Sequence, residues 1–349
     1  MSVIKIEDIA HVRFAAPDLK QMQAFLTDFG LEAWMEEDGL LYAKGSDGAP
    51  FNHSTQEGEA AFRALGLRAS SVDELERLAR AESAAVEALD APGGGYVVRL
   101  HDPDGFCVEV VAGQSPSAAQ PALQGPARNS AAQKARQREP VRLEQGPSHA
   151  RRLGHCVLNV SDFRTSERWY KERFGFITSD EIEASSGTAI GAFMRCDRGD
   201  QPTDHHTLFL AQLPEKPGFM HAAFEVACLD DLMIGHAHLK AQKREAAWGV
   251  GRHILGSQIF DYWKDPWGHE LEHWTDGDLF TASDGSKTAT VDDLLAVQWG
   301  MPNPIFAGTL APSPGLVSFA LSLNARIRGF FRRKPAPTKS NETSAVASR

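Results

Sequence analysis

Three short runs in the second half of the chain alternate apolar and polar positions with the period of two that marks a strand: GHCVLNV (154–160), MHAAFEV (220–226) and HELEHW (269–274). In the first two, His155 and His221 fall on one pleat face, while Cys156, Leu158, Val160 and Ala222, Phe224, Val226 fall on the other and are suited to packing. After the first run the period changes. SDFRTSERWYKERFG reads as an Asp-capped amphipathic helix closing at Phe-Gly, and the same grammar stands near the N-terminus in AHVRFAAPDLKQMQAFLTDFG (10–30). HDPDGFCVEV (101–110) likewise echoes KDPWGHELEH (264–273): an Asp-Pro-x-Gly turn feeds a strand, with Glu109 and Glu272 at matching places. Further helical stretches, VDELERLARAESAA in the first half and LDDLMIGHAHLKAQ in the second, double the count. The pattern predicts an α+β protein of four strand–helix–strand modules in two tandem domains.

The domains are placed at 7–113 and 151–275, joined by a linker at 114–150 that is rich in Ala, Gln, Pro and Ser and has little apolar periodicity. An extension follows at 276–312. The last segment, 313–349, opens with Leu316, Phe319, Leu323, Ile327 and Phe330 at helical spacing before Arg332, Arg333 and Lys334, which predicts a basic amphipathic helix ahead of a disordered tail. That helix is expected to pack on protein, and membrane contact is not expected.

Composition narrows the function. The 349 residues, 42% hydrophobic and 23% charged, suffice for two ordinary cores. A net charge of −10 and a pI near 5.7 argue against a nucleic-acid partner. Cys107, Cys156, Cys196 and Cys228 lack paired spacing, and neither a signal peptide nor a spanning apolar run is present. The expectation is a cytoplasmic protein with reduced thiols, and the exposed edges of the repeated sheets suggest a homo-oligomer.

Any one histidine of such a chain reads first as a core or surface residue. His155, His221 and Glu272 together, each inside a strand-like run, give two imidazoles and one carboxylate, the set that suits a mononuclear Fe(II) site with positions left open for exogenous ligands. Mn(II) accepts the same donors. The first half has counterparts in His11 and Glu109, but the middle position falls near Ala64, so that half is expected to hold no metal. His53, in the polar stretch FNHSTQEG, reads as a solvated loop residue.

Around the three stand His206, His253 and Tyr262. The stretch HILGSQIFDYWKDPWGHELE (253–272) resembles the signature of type I extradiol ring-cleavage dioxygenases, with a His, a Tyr, an Asp-Pro-x-Gly turn and a Glu in order. Asp261 departs from it, standing where the family prefers an apolar residue. The repeats resemble the vicinal oxygen chelate fold of the same superfamily, in which two βαβββ modules form an incompletely closed barrel. The resemblance implies that His155, His221 and Glu272 are metal ligands and that His206, His253 and Tyr262 are catalytic. His205 competes with His206, and Glu270 with Glu272; the family's intervals favour His206 and Glu272.

The resemblance implies extradiol cleavage of a catechol-type ring by O2. Tyr262 and His253 would handle the proton of a substrate oxygen, and His206 would face the oxygen side. Trp248, Ile254, Phe260 and Trp267 suggest an apolar pocket, hence a substituted or bicyclic catechol, and Leu279, Phe280 and Trp299 of the extension are candidates for its rim. A glyoxalase-like isomerase would use the metal ligands but not the other three together. A metal-free module binding small aromatics would leave the ligands without a purpose.

Overall fold

A computed structural model describes residues 2–304 of the chain, except 38 and 186. The basic segment 313–349 lies outside the described residues. Each repeat unit follows one recipe. In the first, β1 (Ile6–Ala16) leads into α1 (Leu19–Asp28), then β2 (Glu32–Met35), β3 (Leu41–Lys44) and β4 (His53–Glu57). The second runs β5 (Ala61–Ala69), α2 (Val72–Glu82), β6 (Glu87–Ala88), β7 (Tyr96–His101) and β8 (Cys107–Ala112).

The third and fourth units form the second half: β9 (Ala150–Asn159), α3 (Phe163–Phe174), β10 (Ile177–Ser185), β11 (Thr188–Arg195), β12 (Thr203–Asp204) and β13 (Leu208–Ala211), then β14 (Gly218–Val226), α4 (Leu229–Ala241), β15 (Glu245–His253), β16 (Ile259–Lys264) and β17 (Glu270–Thr275). The chain then adds β18 (Leu279–Phe280), β19 (Lys287–Thr290), α5 (Val291–Leu295) and β20 (Val297–Gly300). This is the α+β architecture expected from the sequence.

Local chemistry explains why the pattern folds so. Asp18 Oδ1 accepts from the amides of Lys20 and Gln21 to start α1, and Asp162 accepts from Thr165 N to start α3. Gly175 ends α3 in the left-handed region at φ 73°, where a side chain would strain. The two Asp-Pro-x-Gly turns are built alike. Asp102 Oδ1 accepts from the amides of Asp104 and Phe106, and Asp265 Oδ1 from those of Trp267 and His269. Gly105 (φ 87°) and Gly268 (φ 93°) supply the left-handed step in each.

The sheet of the first half has the order β2-β3-β4-β1-β5-β8-β7-β6, so the leading strands of its two units pair at the centre. The second half repeats this as β10-β11-β13-β9-β14-β17-β16-β15. There the extension caps both edges, β19 pairing with β10 and β20 with β15. Neither sheet closes on itself.

One apolar core runs through both halves. It includes Val12, Phe14, Phe25 and Phe29 from the first and Cys156, Leu158, Ala222 and Phe224 from the second, the last four on the pleat face read as packing from the sequence. Phe14 meets Phe219 edge-on at 5.1 Å, and Phe29 stacks on His273 at 3.8 Å while its carbonyl lies 2.6 Å from His273 Nε2. Between the sheets, residues 113–149 carry no helix or strand beyond one bridge, Asn129 to Lys134. The linker is not free along its length: Ser117 N and Gln120 N bond to the carbonyls of Gly48 and Ser46, and Arg151 reaches Gln120 O.

His53 corrects an expectation. It is 1% exposed, lies on β4 rather than in a loop, and stacks on Phe14 at 4.9 Å. The polar residues that follow it do not mark a solvated loop, because Ser54 and Thr55 are buried with it.

Candidate active site

Strand register brings the three candidate ligands together. β14 lies between β9 and β17, and Ala223 pairs with His155 on one side and Glu272 on the other, while His221 stands two residues before it. His155 Nε2 lies 3.1 Å from Glu272 Oε2, and His221 Nε2 lies 3.4 Å from the same oxygen. One donor atom from each of the three falls within 4.8 Å of the others. Glu270, the competitor, pairs with His221 in register but contributes no atom to this group. Gly154 leaves room for the Trp274 ring beside this strand: a Cβ there would stand 2.6 Å from it.

The surroundings are those of a cation site. Glu272 Oε1 and His155 Nδ1 are buried with no hydrogen-bond partner, so donor capacity remains unused. Burial would raise the Glu272 carboxyl, but the imidazoles of His155, His221 and His253 outweigh it and hold it well below the usual carboxylate range. His155 is pushed down by its own burial, against the pull of Glu272. An ionised Glu272 facing a neutral His155 suits a divalent ion, which binds the deprotonated form of each ligand. The residues therefore fit such an ion.

The other three candidates stand around this group. His206, just ahead of β13, sets its ring 4.0 Å from that of His155. Burial, then the neighbouring His155 and His205, push it well below the ordinary histidine value, so it is a neutral ring. Tyr262 on β16 pairs with Glu272 in register, and its Oη lies 3.0 Å from Nε2 of His253 at the end of β15. Burial, then Glu272, hold the Tyr262 hydroxyl well above its usual value and thus protonated. His253 Nε2 is 3.8 Å from Glu272 Oε1. The side chains of His221 and His253 each keep 16% exposure, against 1% for Glu272, so the group opens past these two.

Aromatic rings pack beside the His253–Tyr262 pair. Trp248 stacks on Tyr262 at 5.5 Å, and Phe260 on His253 at 4.1 Å. Trp267 belongs elsewhere: it sits in the turn before β17 and packs on the shared core. Ile254 is exposed. Of the proposed rim, Phe280 lies against His205 (5.3 Å) and under the Arg195 guanidinium, whereas Leu279 and Trp299 are exposed. A separate cleft lined by Lys44, Gln120, His149 and Arg151 includes none of the six candidates.

The register also shows what stands at the same addresses in the first half. Gly66 pairs with His11 and Glu109 as Ala223 does with His155 and Glu272, and the address of His221 is Ala64. Arg99 pairs with Glu109 as Tyr262 does with Glu272. Arg13 Nε and Arg99 Nε bond to Glu109 at 2.6 and 3.0 Å, and His11 Nε2 lies 2.7 Å from it. Two guanidinium groups thus neutralise the carboxylate there. Sequence reasoning found the missing histidine but not the arginines, which carry no motif.

Residues 152–273 match the family described as the glyoxalase/bleomycin resistance protein/dioxygenase superfamily. The chain is 27% identical over 303 residues to Metapyrocatechase 2 of Cupriavidus necator, covering 86% of this chain and 90% of that protein. It is 28% identical over 285 residues to biphenyl-2,3-diol 1,2-dioxygenase of Paraburkholderia xenovorans, covering 77% of this chain and 88% of that one. Among solved structures, the Mn(II)-bound glyoxalase of Novosphingobium aromaticivorans has the same fold, with a TM-score of 0.70 at 23% identity over 89% of this chain and 97% of that one.

Proposed function

From residues 152–273, which match the glyoxalase/bleomycin resistance protein/dioxygenase superfamily, we propose an extradiol dioxygenase that opens a catechol-type ring beside its two hydroxyl carbons and places both atoms of O2 in the product. The observation that carries the reading is the convergence of His155 Nε2, His221 Nε2 and Glu272 Oε2, with a neutral His206 on one side and the His253–Tyr262 pair on the other. Both relatives above, at about 90% of their length, are named for cleavage of aromatic diols.

His155, His221 and Glu272 would hold the divalent ion. Fe(II) or Mn(II) held there would supply Lewis-acid and oxygen-activating chemistry to a bound aromatic diol. The remaining steps belong to side chains. A single carboxylate ligand favours a substrate that has lost one proton. The His253–Tyr262 pair, at the open edge, accepts or returns the proton of a substrate oxygen while Tyr262 stays a donor. Trp248 and Phe260 flank that pair and exclude water from it, which suits a substituted or bicyclic ring. His206, buried and neutral, can take a proton from substrate and give it back as the O–O bond breaks. The first half, with its carboxylate already neutralised, is assigned a structural role. A cytoplasmic homo-oligomer completes the reading.

The test is anaerobic loading with Fe(II), then air and a panel of catechols, followed by oxygen uptake and the yellow colour of a ring-opened semialdehyde. We expect one O2 consumed per ring opened. Isomerisation of the glutathione–methylglyoxal adduct, with no uptake on any catechol, would overturn the assignment.

A further inference from the structure

His205 and His206 are consecutive and both buried, yet their rings serve different partners. The His205 ring turns from the ligand group toward β10, where its Nε2 lies 2.7 Å from Asp180 Oδ2. Its Nδ1 lies 3.1 Å from His206 Nδ1. The chain Asp180–His205–His206 therefore ends on the ring that stands 4.0 Å from His155. Asp180 is itself buried, at 8% exposure.

His205 is locked in this orientation. Phe193 and Phe280 flank its ring at 5.2 and 5.3 Å. Gly256 comes so near that a Cβ there would stand 2.9 Å from His205 Nδ1. Its backbone is held at both ends: His205 N donates to Asp278 O at 3.0 Å, and Ser179 Oγ donates to His205 O at 2.6 Å. Ser179, beside Asp180, accepts from Arg195 Nη1 at 2.9 Å, which fixes the strand that carries the carboxylate.

With a neutral His205 beside an ionised Asp180, donor and acceptor counting leaves one arrangement, whereas a doubly protonated His205 would donate from Nδ1 and place the His206 proton on Nε2. An ionised carboxylate only accepts, so the proton between Asp180 and His205 sits on His205 Nε2. A neutral imidazole carries one N–H, so His205 Nδ1 is an acceptor. The short contact between the two Nδ1 atoms needs a proton, which His206 Nδ1 must supply. We propose, resting on the function assigned above to this site, that Asp180 and His205 are positioning residues that hold His206 in the Nδ1–H form and leave its Nε2 as a bare acceptor for a substrate proton. Setting the wrong tautomer of a catalytic histidine is costly elsewhere in enzymology, even when geometry is kept.

Long-range proton–nitrogen correlation spectra of the metal-free full-length protein, with the two rings assigned by comparison with His205→Asn, test the tautomer directly. The expected result is His206 protonated on Nδ1 and His205 on Nε2; a His206 ring protonated on Nε2 overturns the proposal. In the Fe(II)-loaded protein, Asp180→Asn and His205→Phe should each lower kcat by about 10- to 100-fold, with the catechol KM held within about twofold. His205→Asn puts an amide oxygen near the lost Nδ1 and should restore most of kcat. Wild-type kcat in His205→Phe, a loss carried by KM, or no rescue by His205→Asn would each count against it. Should the wild type open no catechol, the assigned reaction fails while the spectra still decide the tautomer.

Discussion

At the residue scale, the proposed function separates groups that would hold a cation from groups that would move protons. His221 supplies one of three converging donors, and its removal leaves Glu272 and His155 to bind alone. His221→Ala should therefore lose tightly bound iron, read by metal analysis after dialysis. His206→Ala should keep iron and catechol binding yet lower kcat by roughly 100- to 1,000-fold, the scale of one well-placed polar group in a transition state. Near-wild-type turnover in that variant would remove His206 from the chemistry. All six candidate positions were legible in the sequence, because each follows a motif interval or sits inside an alternating run. The Asp180–His205 contact was not: its partners are 25 residues apart, one on β10 and one in the bend between β12 and β13, and no local pattern links them.

At the scale of elements, the strand ladder fixes positions and side chains decide their use. Helices α1 and α3 were legible because Asp18 and Asp162 cap them and Phe-Gly closes them, signals confined to a few residues. The role of the first half's ladder was only partly so. Ala64 announced a missing ligand, but the arrangement of Arg13 and Arg99 on Glu109 arises from cross-strand pairing that no single segment encodes. With His11, Arg13 and Arg99 around it, the Glu109 carboxyl is held below its ordinary range despite burial that alone would raise it. Glu109→Ala leaves that positive charge partly buried without its partner. We expect a loss of about 3 kcal/mol in urea unfolding, with iron content and kcat unchanged; an altered iron content would show that the first half is not merely structural.

At the scale of the whole molecule, the two halves share one interior, and His53 sits at the joint. Its ring stacks on Phe14, which also meets Phe219 and His269 of the second half. Burial drives its value down to about 3, with His269 adding to the effect and Asp265 opposing it. The folded value lies below the unfolded one near 6.5, so the unfolded chain binds the extra proton. Stability from this group is complete above about pH 6.5 and falls as pH drops toward 3. His53→Phe should flatten that part of the stability–pH curve in thermal melts; an unchanged slope would place the acid sensitivity in other groups. The common interior also bears on how the chain may be severed. Most of residues 124–145 are exposed and outside either sheet. A nick in that arc cuts no strand pairing and opens no apolar surface, so the pieces would remain clasped as a two-chain protein with its chemistry intact.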